Sequence, residues 1–249
     1  MRRPPLGKMD IVKSLRRKYA LGEVLEISTP TTGLTFTELK DDVPDAHRLV
    51  YNCPGSVNDR QTYTYRTEAT TSEHLTKAIL VANRDAPCYD IVFVDPFHTY
   101  ACSAADLKGA FALLRPGGIM VVHDCNPECA SLTAPEFVPG DWLGVTYMAF
   151  IDFILSREVR DFYTVDTDYG CGVVYKDRRL PSRGRPPIAN DARERLARTW
   201  KVTRYDDAMR FEFFAQHRRD LLNLKSIEEF AALEGFSLAQ TLVEEAVWS

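Results

Sequence analysis

Residues 89–124 decide the fold. They begin with Tyr89-Asp-Ile-Val-Phe-Val-Asp95, a run of β-branched and aromatic residues that is typical of a strand covered on both faces in a parallel sheet. Apolar residues between Leu107 and Leu114 then recur at the spacing of an amphipathic helix, which Arg115-Pro-Gly-Gly118 ends. A second buried strand, Ile119–Val122, follows. The three elements predict a βαβ crossover and therefore an α/β protein.

Shorter patterns on both sides extend this sheet. Runs of strand-forming residues predict further strands, and helical spacing predicts one more helix before the last two of them. The strands are residues 23–27, 48–52, 62–67, 163–165 and 171–175, and the helix is residues 142–155. We therefore expect a doubly wound, mostly parallel, Rossmann-like sheet.

The chain of 249 residues is short enough to form a single domain. We expect its core to cover about residues 20–176. Residues 177–187 are rich in Arg and Pro and predict an exposed loop. Beyond them, residues 188–249 predict a helical extension that packs on the core or covers it.

Composition limits the partners. With 45% hydrophobic and 27% charged residues, the chain has the balance of a globular protein with a substantial core. The net charge of −4 argues against nucleic acid or an anionic membrane as the main partner, and favours a small-molecule substrate. The sequence leaves open whether the chain forms homo-oligomers.

Location in the cell follows from three patterns. No apolar run reaches the roughly 20 residues that cross a bilayer, and charged residues follow Arg2 and Arg3 where a signal peptide would be apolar. The six cysteines show no framework spacing, and we expect reduced thiols. A cytoplasmic protein is the resulting expectation.

Motifs in the deciding stretch resemble a known family. Asp95-Pro-Phe-His-Thr-Tyr100, Asp106, Leu114-Arg-Pro-Gly-Gly118 and Val121-Val-His-Asp124 stand in the order found in class I S-adenosylmethionine-dependent methyltransferases, above all those that include macrocin O-methyltransferase and the cephalosporin hydroxylase-like proteins. Residues 164–174 and 218–230 extend the resemblance to about residues 20–235. It implies an O-methyltransferase that acts on a hydroxyl of a small molecule, sugar or glycan.

The resemblance also implies where S-adenosylmethionine binds. In doubly wound sheets the cofactor lies at the carboxyl ends of the strands, against the loop after the first strand. Here that loop starts at Glu26 and reaches Gly33, with Ser28 between them. Asn52 stands where the second strand usually ends in an acid that binds the ribose, and Asp95 ends the next strand of the unit. We therefore expect Glu26, Ser28, Gly33, Asn52 and Asp95 to bind the cofactor.

Asp95 and Asp124 end two strands that should be neighbours, so their carboxylates are expected to share a divalent cation such as Mg²⁺. In the resembled enzymes these strand ends supply metal ligands. Such a cation would bind the acceptor and lower the pKa of the hydroxyl to be methylated.

Two histidines stand in the same predicted cleft. A histidine with a pKa near neutrality can take the proton of a hydroxyl, which makes His98 and His123 candidate catalytic residues, with His98 favoured as the base. Asp166, Asp168 and Tyr169 lie in the late turn and are candidates for shaping the substrate pocket, although such residues are also common in ordinary turns.

A second function class stays open at this point. The glycines that usually let a cofactor approach the first loop are replaced by Ser28 and Pro30, and the second strand ends without an acid. The same sheet could therefore belong to a methyltransferase-like binding module or partner subunit without catalysis. A nicotinamide enzyme is remote, because no Gly-x-Gly-x-x-Gly follows a strand.

Overall fold

The computed structural model of the chain describes residues 6–29, 33–53, 63–156, 159–177 and 190–237. The strands in these ranges, numbered along the chain, are β1 (Val24–Ser28), β2 (His47–Tyr51), β3 (Tyr65–Thr67), β4 (Tyr89–Asp95), β5 (Leu114–Val122), β6 (Asp161–Val165), β7 (Cys171–Tyr175) and β8 (Leu224–Lys225). The α-helices are α1 (Lys8–Tyr19), α2 (Gly33–Asp42), α3 (Glu73–Ala82), α4 (Tyr100–Leu113), α5 (Thr146–Ile154), α6 (Asn190–Val202), α7 (Asp207–Leu221) and α8 (Ile227–Glu234).

All the strands belong to one sheet with the order β3-β2-β1-β4-β5-β7-β6-β8. Neighbouring strands pair in parallel except at β7, which runs antiparallel to both β5 and β6. The order reverses between β1 and β4, because earlier strands add on one side of this pair and later strands on the other. In open α/β sheets, ligands bind at the carboxyl ends of the strands beside such a reversal.

Helices cover both faces of the sheet, as a doubly wound fold requires. Along β4 the side chains alternate between two cores: Ile91 and Phe93 pack on the side of α1, α2 and α8, and Val92 and Val94 on the side of α3 to α7. All four are fully buried. The expected α/β fold with a mostly parallel, Rossmann-like sheet is confirmed, and the late helices pack on the same sheet as the rest of the chain.

Some boundaries differ from expectation. Residues 115–118 were expected to separate α4 from the next strand, but they lie within β5. The reason is that the Gly117 amide, at a φ of 82°, donates a hydrogen bond to the Lys176 carbonyl just after β7. The helix expected from residue 142 begins only at Thr146. Within the expected helical extension, the short strand β8 pairs with β6, which anchors the extension to the sheet.

Other expectations fall outside the described ranges. These are most of the 177–187 loop, residues 238–249 and Pro30. The six cysteines are free thiols, as expected. Among the helices of the described ranges, none is long and apolar enough to cross a bilayer.

Candidate active site

Two neighbouring strands deliver carboxylates to the same edge of the sheet. β4 ends at Asp95, and β5 ends at Val122, directly before His123 and Asp124. Since the two strands pair in parallel, with Val94 opposite Val122, their carboxyl ends lie side by side. Asp124 has a φ of 61°, in the left-handed region that Asp enters more readily than most residues other than glycine. The strand therefore turns sharply at the residue that faces Asp95.

Four predicted residues meet here and form what we call the acid–histidine cluster: Asp95, His98, His123 and Asp124. His98 Nε2 lies 3.0 Å from Asp124 Oδ2 and 3.9 Å from Asp95 Oδ1. His123 Nδ1 lies 3.2 Å from Asp124 Oδ1 and 3.4 Å from Asp95 Oδ1. Each histidine thus lies between the same two carboxylates.

His98 is held in one orientation by the segment before α5. Its Nδ1 lies 2.7 Å from the carbonyl oxygen of Trp142, which can only accept a hydrogen bond, so Nδ1 carries a proton and Nε2 faces the carboxylates. The Val145 amide donates to the His98 carbonyl at 2.8 Å. Gly144 has a φ of 54° and a Cβ there would lie 2.2 Å from that carbonyl, so the close approach requires glycine. This packing leaves Nε2 as the reactive atom of His98.

Lys8 joins the cluster from the first turn of α1, and the sequence did not identify it. Its ammonium lies 2.8 Å from Asp95 Oδ2 and 3.3 Å from His123 Nδ1. Its backbone amide donates to Asp168 Oδ2 at 2.9 Å, which fixes the start of the helix. In sequence Lys8 stands among charged residues with no motif around it, so only the docking of α1 reveals its position.

The late turn also reaches the cluster. Asp168 Oδ1 lies 3.6 Å from His123 Nε2, a buried atom without a hydrogen bond among the described residues. The backbone at Tyr169 accepts a hydrogen bond from the Asn126 amide at 2.8 Å, which ties the turn to the loop after β5. Asp166 faces away and accepts a hydrogen bond from the Asn126 side chain. Of the three turn residues considered, Asp168 therefore faces the candidate site.

Attraction between opposite charges keeps the acids and histidines of the cluster ionised. Burial alone would raise the pKa of Asp124, but His123 and His98 lower it to about 2. Burial likewise opposes ionisation of Asp95, yet Lys8 and His123 hold its pKa well below the usual value. Burial would lower the pKa of His98, but Asp124 and Asp95 raise it to about 9. The carboxylates are therefore ionised and His98 is protonated at neutral pH.

Three of the cluster residues also fit a divalent cation. One ligand atom from each of Asp95, His98 and Asp124 can be chosen so that all lie within 4.8 Å of one another. Two carboxylates and one imidazole form a mixed oxygen and nitrogen donor set, which suits transition metals at least as well as Mg²⁺. Binding would require His98 to lose its Nε2 proton, because only the neutral ring offers a lone pair.

The cluster lies inside a segment that matches a known protein family. The family model described as a methyltransferase domain matches residues 33–125, from the start of α2 to just after Asp124. This segment is similar to methyltransferase domains. The match confirms for it the enzyme class that the sequence resemblance implied. The narrower relation to macrocin O-methyltransferase is not part of this match.

Solved structures described as O-methyltransferases are similar to the chain at low sequence identity. A protein from Staphylococcus aureus described as a caffeoyl-CoA O-methyltransferase is 14% identical, with 68% of this chain and 82% of that chain covered and a TM-score of 0.48. An O-methyltransferase from Klebsiella pneumoniae is 15% identical, with 69% and 80% covered and a TM-score of 0.45. An O-methyltransferase from Bacillus cereus in complex with SAH is 15% identical, with 68% and 80% covered and a TM-score of 0.43. No curated protein matches significantly.

At the end of β1, two of the residues predicted to bind the cofactor bind one another. Ser28 Oγ donates to Glu26 Oε1 at 2.7 Å, and Arg48 Nε donates to Ser28 Oγ at 3.0 Å. All three side chains are fully buried. Burial raises the pKa of Glu26 to about 7, although Ser28 and Arg48 oppose the shift. Glu26 Oε2 has no partner among the described residues.

The other predicted cofactor residues lie around this network. Gly33 is the first residue of α2, so the helix begins near the carboxyl end of β1. Asn52 directly follows β2 and is exposed. Neither is in the acid–histidine cluster. Asp95 connects the two groups, because it pairs with Ser28 across the β1–β4 ladder.

A buried network supports the loop that carries His98. The Tyr51 hydroxyl donates to Asp106 Oδ2 at 2.7 Å and accepts a hydrogen bond from the Phe97 amide at 2.7 Å. The Ser72 hydroxyl donates to the other oxygen of Asp106. Burial raises the pKa of Asp106 to about 7 despite these donors. Asp106 thus holds the loop between β4 and α4 through Tyr51.

Proposed function

We propose that this chain is an S-adenosylmethionine-dependent O-methyltransferase whose reaction centre is the acid–histidine cluster. The main supporting observation is that Asp95, His98 and Asp124 converge at the carboxyl ends of β4 and β5. All three lie within residues 33–125, which match the methyltransferase domain model. Of the acceptors that the macrocin-like resemblance suggests, a sugar or another small hydroxyl compound is the proposed class.

The cofactor is proposed to bind at the reversal of strand order between β1 and β4. Gly33 at the start of α2, Asn52 after β2, and Asp95 at the end of β4 surround this point. They fit S-adenosylmethionine by position, since helix starts and strand ends offer amide donors and polar side chains. Bound S-adenosylmethionine supplies an electrophilic methyl group on sulfur, which an attacking oxygen takes with release of S-adenosylhomocysteine.

His98 is the proposed base. Its Nδ1 is committed to the Trp142 carbonyl, so Nε2 is the atom that accepts the hydroxyl proton. Asp124, 3.0 Å from Nε2, holds the ring in place and stabilises the imidazolium that forms. Because the nearby carboxylates raise the pKa of His98 to about 9, the base form is scarce in neutral solution as long as no further cation binds to them.

A divalent cation would change that balance. Asp95 and Asp124 are the residues that would hold Mg²⁺ or a transition metal such as Mn²⁺ while His98 Nε2 stays free to act as the base. A cation there supplies Lewis acidity toward a hydroxyl oxygen. On the protein side, positive charge on the two carboxylates removes the electrostatic reason for His98 to keep its proton, so the acceptor proton can be taken at lower pH.

A second candidate function is a methyltransferase-like binding module without catalysis. The observation that favours it is the closed network of Glu26, Ser28 and Arg48, in which the polar side chains at the end of β1 bond to one another. Lys8 adds to it, because it neutralises Asp95 within the cluster.

Calorimetric titration of the whole chain with S-adenosylhomocysteine separates the two functions. The enzyme is expected to bind one equivalent with a Kd of about 100 µM or tighter. Absence of heat together with an unchanged melting temperature at millimolar ligand would exclude the enzyme and leave the binding module. A positive titration is followed by a screen of sugars and other hydroxyl compounds with S-adenosylmethionine carrying a labelled methyl group.

A further inference from the structure

A cavity of about 660 Å³ lies against the segments that hold His98 in place. One side is formed by α4 and α5 and the other by the corner where α6 leads into α7. Known small-molecule sites measure roughly 300–1,000 Å³, so the cavity has the right size for a small organic ligand. Tyr100, Val145 and Met148 give its inner wall an apolar and aromatic character.

The cavity and the proposed base share the same backbone. Tyr100 begins α4 two residues after His98, and Val145 donates its amide hydrogen to the His98 carbonyl at 2.8 Å. Both residues line the cavity. A ligand in the cavity therefore lies against the segments that set the position of His98.

One of the lining acids, Asp152, already accepts several hydrogen bonds from within the protein. The carboxylate of Asp152 accepts hydrogen bonds from Trp200 Nε1 at 2.7 Å, from Arg210 Nη2 at 2.8 Å and from the Tyr100 hydroxyl at 2.8 Å. Arg210 is nearly buried, and its guanidinium packs 4.2 Å from the centre of the Trp200 ring. Asp152 is thus neutralised by Arg210 and does not repel an anion strongly.

The remaining charged groups leave the cavity positive. Lys201 and Arg204 line it, are exposed, and form no ion pair within the part of the chain that the structure describes; the Arg204 guanidinium contacts only the neutral Tyr205 side chain there. Asp207 is the remaining lining acid. With the Asp152–Arg210 pair set aside, two cations face one carboxylate, and this excess favours an anionic ligand.

Exposed apolar side chains are concentrated in the chain segments that form the cavity. Among the described residues, the large hydrophobic side chains that are most exposed are Tyr63, Val81, Tyr100, Phe137, Val138, Val202, Tyr205 and Met209. Apart from the first two, these either line the cavity or stand within three residues of a residue that does. Exposed apolar groups next to unpaired cations are typical of a binding site for a molecule with an apolar body and an anionic end.

We propose that this cavity binds the acceptor through a phosphate or carboxylate group on an apolar or aromatic body, with Lys201 and Arg204 as the anion-binding residues. The identification of the ligand as the methyl acceptor rests on the proposed function. The binding site itself rests on the cavity, its unpaired cations and its apolar wall.

The test is calorimetric titration of the whole chain, without S-adenosylmethionine or metal, using phenyl phosphate, benzoate and benzyl alcohol as probes. At least one of the two anions is expected to bind at millimolar concentration, and which one it is distinguishes a phosphate from a carboxylate ligand. Benzyl alcohol, which has the same ring without the charge, is expected to bind at least about tenfold more weakly.

A double variant, Lys201→Gln with Arg204→Gln, should weaken binding of the anion by about tenfold or more. Both residues are exposed, so the fold should survive. The matched control is Arg198→Gln on the same helix, which removes an exposed arginine outside the cavity and should leave the affinity within about twofold. Equal binding of benzyl alcohol, an unchanged affinity in the double variant, or no heat from either anion at about 10 mM would each overturn the proposal. Since these titrations need no methyl transfer, their failure is distinct from a failed titration with S-adenosylhomocysteine.

Discussion

The carboxyl ends of β1 and of the β4–β5 pair lie next to each other, yet their polar groups behave in opposite ways. At β1, Ser28 and Arg48 surround Glu26, and burial raises the pKa of Glu26 to about 7. At β4 and β5, the pKa values of Asp95 and Asp124 are lowered by cationic neighbours from three separate parts of the chain. Burial is nearly complete in both places.

The difference shows what distinguishes a reactive site from a structural network in this protein. Burial alone favours the neutral carboxyl group, so a buried carboxylate stays ionised only where cations are placed around it. Buried groups whose pKa values are strongly shifted by burial and charged partners mark candidate functional sites. The acid–histidine cluster adds two histidines that can move a proton, and the network at β1 has no such group.

The largest expected effect is on the proposed base. His98→Gln keeps a side chain of similar size but removes the proton acceptor, so methyl transfer to the acceptor found in the screen should fall by about 10²- to 10⁴-fold. In the metal-free wild type, the rate should rise with pH, reach half of its maximum near pH 9 and level off above it, because the base form appears as His98 loses its proton. The check is a pH profile of kcat/KM; a variant with wild-type activity would show that His98 is not the base.

Asp124→Asn should have the next largest effect. It removes one of the two carboxylates but keeps the shape and tolerates the left-handed backbone, so Mn²⁺ affinity should fall by roughly 10- to 100-fold. The pKa of His98, followed by NMR, should move down from about 9 because its main charged partner is gone. Asp166→Asn is the control, since that carboxylate faces Asn126 outside the cluster. Equal effects in both variants would contradict the assignment.

Lys8→Met tests the contact from α1. It leaves Asp95 buried without its closest cation, which should lower the free energy of unfolding by about 2–4 kcal/mol. The same change should raise Mn²⁺ affinity, because an ammonium no longer competes for the carboxylate. Lys13→Met on the same helix removes a more exposed pair with Asp42 and should cost under about 1 kcal/mol. Denaturant unfolding measures both, and a similar loss in the two variants would rule out a special role for Lys8.

The carboxyl groups of Glu26 and Asp106 give an effect of similar or smaller size on stability. The folded-state pKa values of Glu26 and Asp106 are raised from 4.5 and 3.8 to about 7. Their protonated forms therefore favour folding below pH 4, and this contribution, on the order of 3 kcal/mol for each group, is lost as pH rises to about 7. Asp106→Asn should flatten the decline of unfolding free energy between about pH 4 and pH 6. If the slope stays unchanged, Asp106 is ionised in the folded protein.

The smallest effect is expected from Ser28→Gly, which restores the residue type usual for a cofactor loop. Because Ser28 is bonded to Glu26 and Arg48, we expect it to shape the network without contacting the cofactor, and affinity for S-adenosylhomocysteine should change by less than about threefold. Calorimetry measures it. A much larger gain in affinity would show that the serine obstructs the cofactor site.

Sequence patterns could predict the sheet and the meeting of Asp95 with Asp124, because both residues end strands that a short crossover makes neighbours. His98 could be predicted as well, since it stands three residues after Asp95. Lys8 could not, because it is 87 residues from its partner and reaches it only through the packing of α1 on the sheet.

Sequence patterns could not predict the hydrogen-bond network at the end of β1 either. Nothing in the run around Ser28 indicates that Arg48, on the next strand, is buried against it. Charged residues are seldom fully buried, so the strand pattern gives no reason to place the Arg48 side chain inside the protein. Its pairing with Glu26 depends on the register between β1 and β2, which places the two residues directly opposite each other.

The central claim is that methyl transfer occurs at the edge formed by β1, β4 and β5, with Asp95, His98 and Asp124 at its reactive centre. The most direct measurement is the crystal structure of the protein grown with S-adenosylhomocysteine and Mn²⁺, with anomalous diffraction data collected to locate manganese. We predict S-adenosylhomocysteine at the carboxyl ends of β1 and β4 and an anomalous peak among Asp95, His98 and Asp124. S-adenosylhomocysteine elsewhere on the protein, or crystals without it at saturating concentration, would contradict the account.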